Sequence, residues 1–181
     1  SELEKGKEVG WIDIDDISDD DLTACPFLMG SIAPHTEQTI KEMASFGLGT
    51  VKNKQKDCLA IAIQELSNYT GKKVNALIPI ELGGANTPGC IAAGLITGIP
   101  TIDGDYTGRA IPEISQTTPY LHDKSLLPIT TSIMSGFNLS HHWIFGKADI
   151  CLRRATGIET TSGRYVYRAG YLAYRVDFVR F

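Results

Sequence analysis

Residues 76–113 read ALIPIELGGANTPGCIAAGLITGIPTIDGDYTGRAIPE, and the order of residue types along them decides the fold. Residues 73–80 (KVNALIPI) form an apolar run that predicts a strand. A Gly-rich turn from Glu81 to Asn86 follows, then small residues over 89–97 that suit a helix with Gly98 as its C-cap. Residues 99–102 supply the next strand, which opens into Asp103, Asp105, Arg109 and Glu113. A strand, a crossover helix and a second strand in this order predict a right-handed parallel unit. Neither apolar run alternates cleanly with polar residues, so both strands are expected to be covered on two faces.

Upstream, residues 55–69 predict the clearest helix. Leu59, Ala62, Ile63 and Leu66 share one face, and Gly71 stops it. Residues 8–14 (EVGWIDI) and 25–32 (CPFLMGSI) read as strands, with a helix over 37–46 between the second of these and the helix at 55–69. Asp15, Asp16, Asp19, Asp20 and Asp21 cluster without EF-hand spacing, which predicts a solvated turn with one Asp capping a short helical turn. Residues 126–134 suit another strand, and residues 164–181 one or two more. The expected fold class is α/β, a mostly parallel or mixed sheet with flanking helices and a β-rich C-terminal tail. Residues 1–140 are expected to form the α/β domain with a Gly-rich acidic cleft. Residues 141–181 would be a basic, β-rich appendage packed on it or extending it.

Composition narrows the function classes. The chain has 181 residues, 43% hydrophobic and 21% charged, as ordinary globular domains do. No apolar stretch is long enough to span a bilayer, and the acidic start lacks signal-peptide character, so a cytoplasmic protein without a membrane partner is expected. Residues 1–140 carry 10 Lys+Arg against 18 Asp+Glu, while 141–181 carry 7 against 3. An acidic body disfavours nucleic acid as a partner. Cys25, Cys58, Cys90 and Cys151 are scattered without a CxxC pair and read as buried free thiols rather than zinc ligands.

Two segments could carry chemistry. Glu81-Leu-Gly-Gly-Ala-Asn86 sits where a strand ends and a helix begins, the place where open α/β sheets bind ligands. Gly83 and Gly84 allow a close backbone approach, and helix-start amides favour an anion. A plain tight turn with Glu81 exposed explains the same residues. Asp103 and Asp105 lie two apart and can project to one side of an extended chain, either to bind a cation or to share a proton. Arg109 can neutralise one of them or clamp a substrate carboxylate, and Glu113 enters from the far end of the loop. The competing reading is a structural Asp–Arg pair that fixes a long loop. Thr117 and Thr118 add polar contacts, and His122 is the one histidine near in sequence.

These residues resemble a known family. ALIPIELGGANTPG and TIDGDYTGRAIPEISQTTPYL together resemble the paired signature of the S-methyl-thiohydantoin desulfurase-like proteins, a family associated with hydantoinase and oxoprolinase subunits. Its E-[IL]-G-G-x-N element falls on Glu81, Gly83, Gly84 and Asn86. Its D-x-D-x-x-G-R-A-[FI]-P-E element falls on Asp103, Asp105, Gly108, Arg109, Ala110, Pro112 and Glu113, with Thr117 and Thr118 following. The likeness runs from about Trp11 to Pro128. Members usually begin with a Gly-rich segment, which does not precede Ser1, and continue into a β-rich domain that the tail does not resemble. The chain therefore reads as a fragment or a divergent version.

The resemblance implies metal-assisted hydrolysis of a hydantoin- or thiohydantoin-like cyclic amide, with a small molecule as substrate. Asp103, Asp105 and Glu113 would then be catalytic. Glu81, Asp103 and Asp105 would hold a divalent metal ion, and Gly83, Gly84, Asn86, Arg109, Thr117 and Thr118 would contact substrate. Partners would be a second copy of the chain or hydantoinase-like subunits. The alternative is a non-catalytic, small-anion-binding or accessory subunit of such a complex.

Overall fold

The structure is a computed structural model that describes residues 3–29, 37–45, 57–111, 114–126, 128–132, 138–141, 157–159, 165–167 and 170–176. Four strands run parallel: β1 (Trp11–Ile12), β2 (Thr23–Met29), β3 (Ala76–Leu77) and β4 (Thr101–Ile102), in spatial order β1-β4-β3-β2. Three further strands continue the sheet antiparallel. In chain order they are β5 (Ile129–Ser132), β6 (Asn138–His141) and β9 (Gly170–Val176); across the sheet they run β9-β5-β6 outward from β2. Two short strands, β7 (Gly157–Glu159) and β8 (Tyr165–Tyr167), pair separately. The α/β reading holds, with a parallel half joined to an antiparallel one.

The helices are α1 (Glu37–Ser45), α2 (Cys58–Thr70), α3 (Asn86–Thr97) and the single-turn α4 (Thr118–Leu121). Gly71 and Gly98 end α2 and α3 in the left-handed region, at φ of 66° and 72°, where a Cβ would be strained. Among the described residues no helix is long and apolar enough to cross a membrane.

Alternation along β2 and β3 splits the core into two layers. Ala24 and Leu77 face α2 and α3, packing with Leu59, Ala62, Ile63, Leu66, Cys90 and Ala93. Cys25, Phe27, Ala76 and Ile78 face the other way, packing with Ile17, Ile102, Tyr106, Ile114, Leu126 and Ile129. A Cβ on Gly94 would lie 2.8 Å from both the Ile99 carbonyl oxygen and Thr101 Oγ1, so this glycine sets how closely α3 approaches β4. Beneath β5, Thr130 Oγ1 donates to the Ala62 carbonyl at 2.7 Å, tying the strand to α2.

Several strands are shorter than their apolar runs. Of residues 8–14 only Trp11–Ile12 pair, and of 73–80 only Ala76–Leu77. Pro79 has no N–H to continue the ladder beyond β3. Main-chain bonds still extend the contact: Ile78 N donates to Ala24 O at 3.0 Å, Leu77 N to Pro100 O at 2.9 Å and Asp103 N to Ile12 O at 3.1 Å. The run at 25–32 begins two residues early and pairs through Met29, with 30–32 outside the described residues. Asp13 caps a 3-10 turn at Ile14–Asp16 by accepting from Asp15 N at 3.0 Å, so the acidic cluster does form a capped turn.

Candidate functional site

The loops leaving β3 and β4 lie side by side at the carboxyl ends of the parallel strands, bound to each other by hydrogen bonds. Glu81 is half-buried. Its Oε1 accepts from Asn86 Nδ2 at 2.6 Å, and its Oε2 accepts from the Ile111 N–H at 2.7 Å, across 30 residues of chain. Asn86 is the first residue of α3, and its Oδ1 accepts from the Leu28 N–H of β2 at 2.8 Å. Thr87 Oγ1 donates to the Glu81 carbonyl at 2.8 Å and accepts from Gly83 N at 3.2 Å.

Asp105 closes the second loop upon itself. Its Oδ1 accepts from Thr107 N at 2.6 Å and also from Gly108 N, with Gly108 in the left-handed region at φ of 67°. Thr107 Oγ1 lies 2.7 Å from Arg109 O and 3.1 Å from Ile80 O, so its single proton serves either the loop or the end of β3. Thr118 binds the start of this loop twice, through N at 3.0 Å and Oγ1 at 3.1 Å, both to Tyr106 O. Thr117 is fully buried, and its hydroxyl donates to Ile114 O at 2.9 Å.

Two charged groups face solvent on this rim. Asp103 is exposed, and its carboxylate has no hydrogen-bond or ion-pair partner among the described residues. Arg109 is exposed and, among the described residues, spends only Nε, on the Ala110 carbonyl at 3.3 Å. Asp105 Oδ2 likewise accepts nothing among the described residues. Gly84 is exposed, with open space where a Cβ would be. A Cβ on Gly83 would lie 3.4 Å from Glu81 Oε1, in van der Waals contact with the carboxylate as it folds back over its own loop.

The structure thus brings Glu81, Gly83, Asn86, Asp105 and Arg109 into one bonded loop pair. Glu113 and Pro112 lie outside the described residues. Among the described residues, no three His, Cys, Asp or Glu side chains are grouped to hold a metal ion. His122 is exposed and closes α4 through its backbone N–H. Sequence reasoning missed Thr87, Thr107 and the main-chain donors of Leu28 and Ile111. A threonine two residues after Asp105, before a glycine, is a turn signal that would have found Thr107. Main-chain donors carry no residue-type signal at all.

Under the loop, the Tyr106 hydroxyl is buried and closes no hydrogen bond among the described residues. Burial pushes its pKa well above the ordinary value and the neighbouring Cys25 adds to this, while the Thr23 side chain, a hydrogen-bonding neighbour that falls short of good geometry, acts in the opposite direction. Burial also pushes the Cys90 thiol up from 9.0 to about 12. Cys25, Cys58 and Cys90 are buried thiols outside any disulfide, as their scatter suggested, and Cys151 lies outside the described residues. A groove of about 550 Å³, lined in part by Ile63, Asn68, Lys72, Lys73 and Ile99, opens at the amino ends of β3 and β4, away from the acidic loops.

An open, half-parallel sheet with helices on it and glycine turns at its strand exits places the chain in the open α/β class, whose ligands bind beyond the carboxyl ends of strands. The chain belongs to the S-Me-THD-like family: the model of the family's N-terminal domain matches residues 1–140. It is also similar in fold to a protein from Chromobacterium violaceum, a Northeast Structural Genomics Consortium target solved by X-ray crystallography. The TM-score is 0.63 at 18% identity, covering 92% of this chain and 42% of that one. The chain therefore spans less than half the length of that relative. No curated protein matches it.

Proposed function

We propose that this domain holds the substrate of a hydrolase acting on a hydantoin- or thiohydantoin-like ring, at the carboxyl ends of β3 and β4. One observation carries the reading. Among the described residues of a rim fixed by hydrogen bonds, the charges left uncommitted are Asp103, one oxygen of Asp105 and the Nη groups of Arg109. Membership of the S-Me-THD-like family supports the ring chemistry.

In this reading Arg109 binds the ring's carbonyl or carboxylate oxygens through its free Nη groups. Asp103 takes the proton from the water that attacks the ring carbon, and returns it to the departing nitrogen or sulfur. Asp103 and the free oxygen of Asp105 are two hard oxygen donors of the kind that suit a divalent cation. Such a cation, when bound, would polarise the ring carbonyl or thiocarbonyl. Cytoplasmic chemistry on a small molecule, in a homo-oligomer or beside hydantoinase-like subunits, fits this role.

The test is ring opening of hydantoin and S-methyl-thiohydantoin by the purified protein, with its metal content measured in parallel. Asp103→Asn is expected to lower turnover by roughly 10²–10⁴-fold, the usual contribution of a positioned acid–base group. Unchanged turnover in that variant overturns the assignment. The second reading, a small-anion-binding subunit, rests on the free guanidinium of Arg109. Anion binding that Arg109→Ala abolishes, in a wild type with no turnover, would select it.

A further inference from the structure

We infer that Glu81 and Asn86 form a positioning pair whose hydrogen-bond polarity locks the exits of β2, β3 and β4 into one unit, and that neither side chain contacts a ligand. Three bonds in series make the lock: Leu28 N–H to Asn86 Oδ1 at 2.8 Å, Asn86 Nδ2 to Glu81 Oε1 at 2.6 Å, and Ile111 N–H to Glu81 Oε2 at 2.7 Å. Each link admits one direction only. A main-chain N–H can only donate, so the Leu28 bond fixes which end of the Asn86 amide faces β2. The amide's other end must then donate, and a carboxylate can only accept. Glu81 is thereby required to accept from two sides at once, which an ionised carboxylate does and a neutral amide cannot.

The lock spans residues 28 to 111 and engages both oxygens of Glu81 and both ends of the Asn86 amide. Thr87 and Thr107 reinforce it by bonding the carbonyls of Glu81 and Ile80. Arg109 lies two residues before the Ile111 anchor, so the lock sets where the exposed guanidinium stands. A metal or substrate contact at Glu81 would have to share its two oxygens with these N–H donors.

Polarity gives a test that a ligand role would fail. Glu81→Gln leaves one acceptor oxygen for two donors, so an N–H of the new amide meets another N–H. Asn86→Asp sets two carboxylates face to face. The double variant Glu81→Gln/Asn86→Asp restores every link with the middle bond reversed. Its carboxylate at position 86 accepts from the Leu28 N–H and from the amide nitrogen now at position 81. The oxygen of that same amide accepts from the Ile111 N–H. Net charge is unchanged from wild type.

Hydrogen exchange of the Leu28 and Ile111 amides in the full chain reads the lock without any turnover. Each single variant is expected to lose protection about tenfold or more, and the double variant to recover it to within about threefold. A single variant that fails to fold while the double folds counts the same way. Full protection in Glu81→Gln overturns the inference, as does a double variant no better protected than the singles. The functional arm rests on the hydrolase reading: the double variant should recover kcat and metal content together with protection. Recovered protection with turnover still lost in the double variant would make Glu81 a ligand-contacting group and overturn the inference. A wild type with neither turnover nor metal would sink the hydrolase reading alone and leave the exchange result standing.

Discussion

The two faces of the sheet are buried to similar depth but by different kinds of structure. One is covered by α2 and α3, whose Leu59, Ile63, Leu66 and Ala93 pack in helical register. The other is covered largely by loops, through Ile17, Tyr106, Ile114 and Leu126. Tyr106 and Ile114 belong to the same stretch as Asp105 and Arg109. On the helix face the core and the candidate site meet only at the start of α3; on the loop face they belong to one stretch of chain. Substitutions beneath the helices should change stability alone, whereas substitutions beneath the loops should change stability and site geometry together.

The sharpest way to break this comparison is a matched pair. Leu66→Ala and Ile114→Ala each remove a buried side chain, and each should cost about 2–5 kcal/mol in denaturant unfolding. Only Ile114→Ala should also reduce exchange protection of the Thr107 and Gly108 amides held by Asp105. Loss of that protection in Leu66→Ala would show that the faces are coupled. Next, Gly94→Ala forces a methyl against the Ile99 carbonyl and Thr101 Oγ1, and should cost about 1–3 kcal/mol on the helix face. A thermal midpoint equal to wild type would mean that α3 can lift off β4 at no cost.

Cys90 tests the helix face through pH. Its folded-state pKa is raised to about 12 by burial, while the unfolded thiol ionises near 9.0. Above pH 9 the unfolded chain releases a proton that the native chain keeps, so native stability is intact below that value and falls as pH rises towards 12. The slope for this thiol is about 1.4 kcal/mol per pH unit, and Cys90→Ala should remove that portion of it. An unaltered alkaline slope in the variant would show that Cys90 is less sheltered than its position implies. The smallest effect belongs to Tyr106→Phe. Deleting a hydroxyl whose contact with Thr23 falls short of a well-formed hydrogen bond should shift stability by only about 0.5 kcal/mol or less. A loss well above that would reveal an ordered water or another partner on the loop face.

The helix face was the more legible of the two in the sequence. Leu59, Ala62, Ile63 and Leu66 announce α2 by spacing, and Gly71 and Gly98 announce both helix ends by the backbone they permit. The start of α3 was placed at Gly89, but the helix begins at Asn86. Pro88 suits a first helical turn, but Asn86 itself gives no capping signal, because its side chain is committed to Leu28 and Glu81 rather than to the helix end. On the loop face the sequence marked two segments that the structure bonds to each other, but not how they are fastened. Periodicity says which way a carboxylate starts from the chain, not which distant N–H it meets. The place of β9 between β2 and β5 was likewise invisible, since no local pattern encodes a partner about 150 residues away.

That last strand has a consequence for how the protein is made. Its pairing joins Thr23 to Val176 and Met29 to Gly170, and the second edge of β9 carries β5 and β6. While the nascent chain is still emerging from the ribosome, β2 has an open edge that only residues made much later can fill. The parallel strands can gather early, but the sheet closes late, through contacts of high sequence separation that fold slowly. During that interval the bare edge of β2 is a template for foreign strands, so shielding of nascent chains should govern the yield of this protein more than its final stability does.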